Sequence, residues 1–348
     1  MSTESPPVAA TEPAPASPIP RRPLAPTLLH IAERYALAVL LVTVVVFFSV
    51  WSRTSLAYTQ PDNVRNVLGS QGVLTIIALG SIVPLICGQF DLSVGSVALL
   101  SSVMAASAYA NWHFGLLPGI LVGVAVGALI GVVNGQVITR FGVNALITTL
   151  GTASVVTGVI TWYTGGGSIV EGIPTALTKF GSPTATFLGV PPVVFLLIIV
   201  SLLVWYLLEH TPYGRYLYAV GTNAEAAALV GVRIPSLVRR SFIVSGGMAG
   251  LAGVVLLAQQ GTGNSNTGPA ASFTLSALAA AFLGATSVRP GRFNVLGTLF
   301  AIYFLASAIT GLTFAGVDSF ISDLFNGAAL VFAVAISTIL RRRRTAST

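Results

Sequence analysis

The chain has 348 residues, 54% of them hydrophobic and 8% charged, with a mean hydropathy of +0.87. Soluble globular chains carry about 25% charged residues, so a water-soluble domain is excluded, and an all-α polytopic membrane helical bundle is expected. The net charge of +7 does not point to nucleic acid, because the basic residues fall in short connectors and tails between apolar runs.

The first 26 residues hold eight prolines among Ala, Ser, Thr and Glu, and residues 1–34 are expected to form a disordered tail. No charged n-region followed by an apolar h-region marks a cleaved signal peptide. A membrane span needs about 20 mostly apolar residues. Candidate spans fall at 35–52, 70–87, 92–110, 116–138, 143–163, 192–209, 237–258, 272–288, 293–313 and 317–340, about ten, within one domain over 35–340. The eighth is short. A basic tail, 341–348, carries Arg341 to Arg344.

Ten spans put both termini on one side. That side then holds Arg21, Arg22, Arg34, Arg140, Arg215, Arg233, Arg239, Arg240, Arg289, Arg292 and Arg341 to Arg344, 14 of the 17 basic residues. Only Arg53, Arg65 and Lys179 lie opposite. The positive-inside rule therefore predicts cytoplasmic N and C termini.

Between the second and third spans, Gly88 to Ser93 leaves almost no loop. Asp91, so close to the bilayer, must face protein or water; the residue type fits a cap for the next helix and also contact with a solute. The fourth span carries Gly119, Gly123, Gly127, Gly131 and Gly135, a glycine every fourth residue, which predicts a helix face closely approached by another backbone. Cys87 is alone and reads as a small buried hydrophobe. The larger outer loop, Thr164 to Pro191, has the size to serve as a docking surface or a plain connector.

The longest polar interruption is Thr211 to Pro235, part of a cytoplasmic loop over 211–236. Thr222 and Glu225 have capping-box spacing, Asn223 to Val230 is helix-prone, and Gly231 is a natural stop. So short a helix must dock on something. The run Ala226, Ala227, Ala228 gives it a slim surface. An ordinary interhelical loop would share this spacing.

No catalytic constellation, Walker A loop or metal-ligand spacing occurs, and His30, His113 and His210 stand at segment ends. The spans also lack the rows of ionisable residues common in ion-driven carriers. Their polar groups are mostly neutral, and the candidate solute path comprises Asp91, Asn134, Asn144, Thr148, Thr152 and Gln259. Each of these also suits an interhelical hydrogen bond.

The stretch GRYLYAVGTNAEAAALVGVRI, 214–234, resembles the cytoplasmic loop of permease subunits in sugar ABC importers of the ribose/xylose/arabinose type, within the branched-chain-amino-acid/ribose permease superfamily. GQFDLSVGSVALL, GVNALITTLGTASVVTGVITWYTGGGSI and LAAAFLGATSVRPGRFNVLGTLFA extend the resemblance over about residues 65–340. The chain departs from the family's pattern at Phe273 to Ser276, where acidic residues are common, and at Ile309 and Thr310, where asparagines are. The resemblance implies an importer of a monosaccharide or related polyol in the bacterial inner membrane. Within it the coupling positions would be Gly214, Arg215, Gly221, Asn223, Glu225, Ala226, Ala227 and Gly231. It implies a separate ATPase subunit that binds ATP and Mg, a periplasmic or lipid-anchored solute-binding protein, and a second permease copy, identical or related. This chain would then bind no cofactor and be no enzyme. A branched-chain amino acid permease, an ion-coupled carrier and a membrane scaffold are the rival expectations.

Overall fold

The computed structural model describes residues 24–318 and 320–345; the expected disorder of residues 1–23 lies outside them. In chain order the helices are α1 (Leu24–Val50), α2 (Ser55–Tyr58), α3 (Pro61–Ser70), α4 (Gly72–Ile86), α5 (Val94–Ala110), α6 (Leu116–Phe141), α7 (Ala145–Thr164) and α8 (Thr175–Gly181). There follow α9 (Pro192–His210), α10 (Pro212–Thr222), α11 (Ala224–Leu229), α12 (Ile234–Gln260), α13 (Pro269–Gly284), α14 (Val295–Phe314) and α15 (Phe320–Thr345). Among the described residues the only β-pairings are two isolated bridges, Ile169 to Gly263 and Phe187 to Val190. The fold is all-α, as composition demands.

Among the described residues six stretches are long and apolar enough to cross a bilayer: Pro61–Ile86, Leu116–Phe141, Ala145–Thr164, Pro192–His210, Ile234–Gln260 and Val295–Phe314. Three shorter apolar helices, Arg34–Val50, Val94–Ala110 and Pro269–Gly284, accompany them. Some boundaries differ from the expected ones. Helix α1 begins at Leu24, so residues 24–34 are helical and not part of a disordered tail. Helix α15 runs on through the four arginines to Thr345, where a tail was expected from 341.

The core is built around α4, α5 and α12. Nearly all of α4 is buried, and so is α5 apart from Met104 and Ala110. Helix α12 buries Phe242, Ala249, Ala252 and Leu257 completely. The glycine stripe behaves as its spacing requires, for Gly119, Gly123, Gly127, Gly131 and Gly135 are all buried. A Cβ added to Gly127 would lie 2.6 Å from the Cα of Gly250, and one on Gly246 would lie 2.9 Å from the Cα of Gly131. Both α6 and α12 therefore use glycine where they cross, bringing the backbones into contact and replacing side-chain interdigitation by close dispersion contact.

Helices α5 and α13, at 17 and 16 residues, span about 25 Å each at 1.5 Å per residue, less than the roughly 30 Å of a hydrocarbon core. Each is preceded by non-helical backbone, 87–93 and 261–268. The second segment descends along α5: Gly263 lies against Val103 and Ala106, and Ala270 lies against Gly95. The start of α13 thus meets the start of α5, where the Gly95 amide donates to Thr274 Oγ1 at 3.1 Å. Irregular backbone within a membrane bundle is tolerated where protein covers it and its polar groups find partners.

The loop 165–191 is more ordered than a plain connector. It contains α8, whose Gly181 is packed against the carbonyl end of Ala258. Residues Ile169 and Gly263 exchange backbone hydrogen bonds of 3.0 and 2.8 Å, so the loop is fastened to the segment entering α13.

Candidate functional site: the α10–α11 loop and the Asp91 junction

The polar interruption folds as two helices. Thr211 caps α10, accepting from the Gly214 amide at 3.3 Å, and Pro212 occupies the first turn, where its missing N–H costs nothing. Gly214 permits the sharp corner from α9: a Cβ there would lie 2.6 Å from the Cα of Leu208. Buried Gly214, Leu217 and Val220 form the inward face of α10. The aromatic Tyr218 fixes its height, donating to the Phe293 carbonyl at 2.7 Å beneath the Arg292 guanidinium, 4.1 Å from the ring centroid. Burial pushes the Tyr218 phenol up to about 12, with Glu209 adding to the effect, so it remains a hydrogen-bond donor at neutral pH. Close by, Glu209 at the end of α9 pairs with Arg289, and that pairing raises the arginine further.

The capping box is not formed. Asn223 is the N-cap of α11, its side chain accepting from the Ala226 amide at 2.9 Å. Thr222 turns away and donates to the Tyr218 carbonyl inside α10. An Asn in extended conformation is as good a cap as Thr, and Thr222 belongs to the helix before it. Glu225 sits in the first turn of α11, where the helix dipole favours a negative charge. Val230 closes the helix, and Gly231 follows at a φ of +86°, the left-handed stop expected there.

The eight positions expected to take part in coupling divide by direction. Gly214 and Ala227 are buried and Gly221 is partly so, whereas Arg215, Asn223, Glu225, Ala226 and Gly231 are exposed. This corrects one expectation: of the alanine run, Ala227 does not offer itself to a partner. It is 4% exposed and packs in the chain's own core. The outward face instead carries Leu229 and Val230, exposed by 89% and 80%.

The expected solute-path residues separate too. Asp91, Asn134 and Thr152 come together. Asp91 is 2% exposed; its Oδ1 accepts from the Ser93 hydroxyl at 2.6 Å and the Ser93 amide at 3.1 Å. Its Oδ2 accepts from the Ser245 hydroxyl of α12 at 2.8 Å. The Asn134 amide of α6 donates to Ser93 Oγ at 3.0 Å, and Thr152 of α7 donates to Asn134 Oδ1 at 2.6 Å. Beside this chain, Thr149 accepts from the Leu92 amide at 3.1 Å and donates within α7 to Ala145. Asp91 is not the helix cap that its position suggested, because Ser93 is the N-cap residue and Asp91 fastens it from two residues upstream.

The remaining three stand elsewhere. Asn144 is the exposed N-cap of α7, accepting from the Leu146 amide, and Thr148 donates back to the Asn144 carbonyl. Gln259 ties α12 to the Gly69 carbonyl at 2.9 Å. Their hydrogen-bonding capacity serves helix ends and helix contacts. Ser245 and Thr274 escaped the sequence reading. The signal available was a repeated Phe-X-Leu-Ser, at Phe90 to Ser93 and Phe273 to Ser276, each beside the start of one of the two short helices. Among the described residues no three His, Cys, Asp or Glu side chains gather as a metal site would require.

A helical bundle with several stretches able to cross a membrane, interrupted helices meeting inside it and a structured polar loop at one end defines a polytopic membrane protein. The family model described as "Branched-chain amino acid transport system / permease component" matches residues 63–334, and the chain belongs to that family. It is 33% identical over 291 residues to the ribose import permease protein RbsC of Bacillus subtilis, covering 83% of this chain and 88% of the relative. The RbsC protein of Escherichia coli K12 is 31% identical, with 85% and 92% covered. The autoinducer 2 import system permease protein LsrC of Photorhabdus laumondii is 31% identical, with 84% and 86% covered. No solved structure matches the chain.

Proposed function

We propose that this chain is the permease subunit of an ABC importer that carries a monosaccharide or related polyol inward across the bacterial cytoplasmic membrane. It crosses the bilayer ten times, in α1, α3–α4, α5, α6, α7, α9, α12, α13, α14 and α15, with both termini and the 211–236 loop in the cytoplasm. The distribution of 14 of 17 basic residues on that side supports this orientation. Likeness to permeases named for ribose and autoinducer 2 import, and buried polar groups that among the described residues are neutral apart from Asp91, support a neutral solute. Energy then comes from an ATPase partner holding ATP and Mg. Solute arrives from a binding protein on the outer face, and a second permease copy completes the translocator.

The α10–α11 loop carries the reading. It buries one face on its own chain and presents Leu229 and Val230 outward, the two most exposed large aliphatic side chains of the loop, which is the construction of a docking element. Replacing Leu229 by Arg should leave membrane insertion intact, abolish co-purification with the ATPase and stop uptake into proteoliposomes. Ala227→Arg, by contrast, should lower the stability of the permease itself, because it forces a charge into the core. Wild-type ATPase association and uptake in Leu229→Arg would remove the docking role. Wild-type uptake should cease on ATP depletion and survive an uncoupler; the opposite pattern indicates an ion-coupled carrier.

A further inference from the structure

The loop and the Asp91 junction meet through one short piece of backbone. A Cβ on Gly221 would overlap the carbonyl oxygen of Ile86, so α10 rests directly on the last residue of α4. The non-helical connector starts at the next residue, and Cys87 Sγ lies 3.8 Å from Ser241 Oγ on α12. Within six further residues the connector is held by Thr149 of α7 at Leu92, by Ser245 of α12 at Asp91 and by Asn134 of α6 at Ser93. It ends at the start of α5, whose Gly95 amide is held by Thr274 of α13.

Asp91 divides its two oxygens between the connector and α12, one on Ser93 and the other on Ser245. Among the described residues neither ion pair includes it. The Cys87, Gly88 and Gln89 amides still bond back to the Pro84 and Leu85 carbonyls and so move with the end of α4, whereas from Asp91 to Ser93 the side-chain bonds set the path. Hydroxyl donors can exchange acceptors at modest net cost, whereas a packed apolar contact of the α6–α12 kind cannot slide by fractions of a residue.

We propose that the Cys87–Ser93 connector passes movement of the α10–α11 loop to the meeting ends of α5 and α13, and that Asp91 is the positioning residue that keys the connector to α12. This rests on the reading of α11 as the ATPase-docking element. The test uses the complete importer in proteoliposomes, counting solute taken up per ATP hydrolysed. Ser245→Ala should co-purify with the ATPase and keep its basal hydrolysis while uptake per ATP falls about tenfold, in the lower part of the range for coupling between sites. Ser245→Thr, which keeps the hydroxyl, should restore the ratio, and Asp91→Ala should lose at least as much as Ser245→Ala. A wild-type ratio in Ser245→Ala overturns the proposal. So does a loss of uptake matched by loss of ATPase co-purification, which would make the junction a folding element only. Wild-type uptake that proceeds without ATP overturns the importer reading along with it.

Discussion

Two contacts on α12 hold the bundle together by opposite means. Against α6, glycines meet glycines and the backbones touch, with a Gly127 Cβ position only 2.6 Å from Gly250 Cα. Near the same level, Ser245 reaches Asp91 through a single hydrogen bond, and the backbone it holds is not helical. The first contact is set by shape and has one solution. The second is set by direction and can be remade with a different partner. A permease needs both, since some helices must keep their relation while others change it.

The sharpest way to break the comparison is to alter the seam. Gly127→Leu places a side chain where the Gly250 backbone already lies, and overpacking of this kind costs about 3 kcal/mol or more. The expected outcome is a large fall in the melting temperature of the detergent-purified protein and little recoverable protein. A wild-type melting curve would mean that α6 and α12 are not in contact.

At the junction a smaller effect is expected. Asn134→Ala removes the acceptor of Thr152 and one of the two bonds of the Ser93 hydroxyl, which keeps Asp91, leaving the part-buried Thr152 hydroxyl without its inter-helix partner at about 1–2 kcal/mol. Denaturation should shift accordingly, and adding Thr152→Ala should change little more, since the two act through one bond. Strict additivity would dissolve the network.

The smallest change sharpens the loop. Asn223→Ala removes the cap of α11 at about 1 kcal/mol, whereas Thr222→Ala removes only a bond within α10. Hydrogen exchange of the Ala226 amide should accelerate in the first variant and stay unchanged in the second. Equal effects would reinstate the capping box.

How far the sequence led depended on whether a property was local. The glycine period of the fourth span announced a close helix contact, and the structure supplies it. The left-handed stop at Gly231 was legible because residue type and φ are tied. The cap was misplaced by one residue because Thr222 and Asn223 are both good caps, and the choice fell to whether α10 extended far enough to claim Thr222. For the polar residues, spacing carried no information about partners. Asp91, Asn134 and Thr152 share no helix, and Asn144, four residues from Thr148, looked equally eligible until it proved to cap α7.

The sequence by itself determined an all-α membrane bundle and a structured loop after the sixth long apolar run, because hydrophobic length and backbone satisfaction in lipid leave a helical chain few alternatives. Only the tertiary structure decided that α5 and α13 start inside the bundle, that Ala227 faces inward and that Ser245 meets Asp91. Those outcomes depend on which helices pack together, and hydroxyls and alanines are compatible with too many neighbours to specify one from the chain alone.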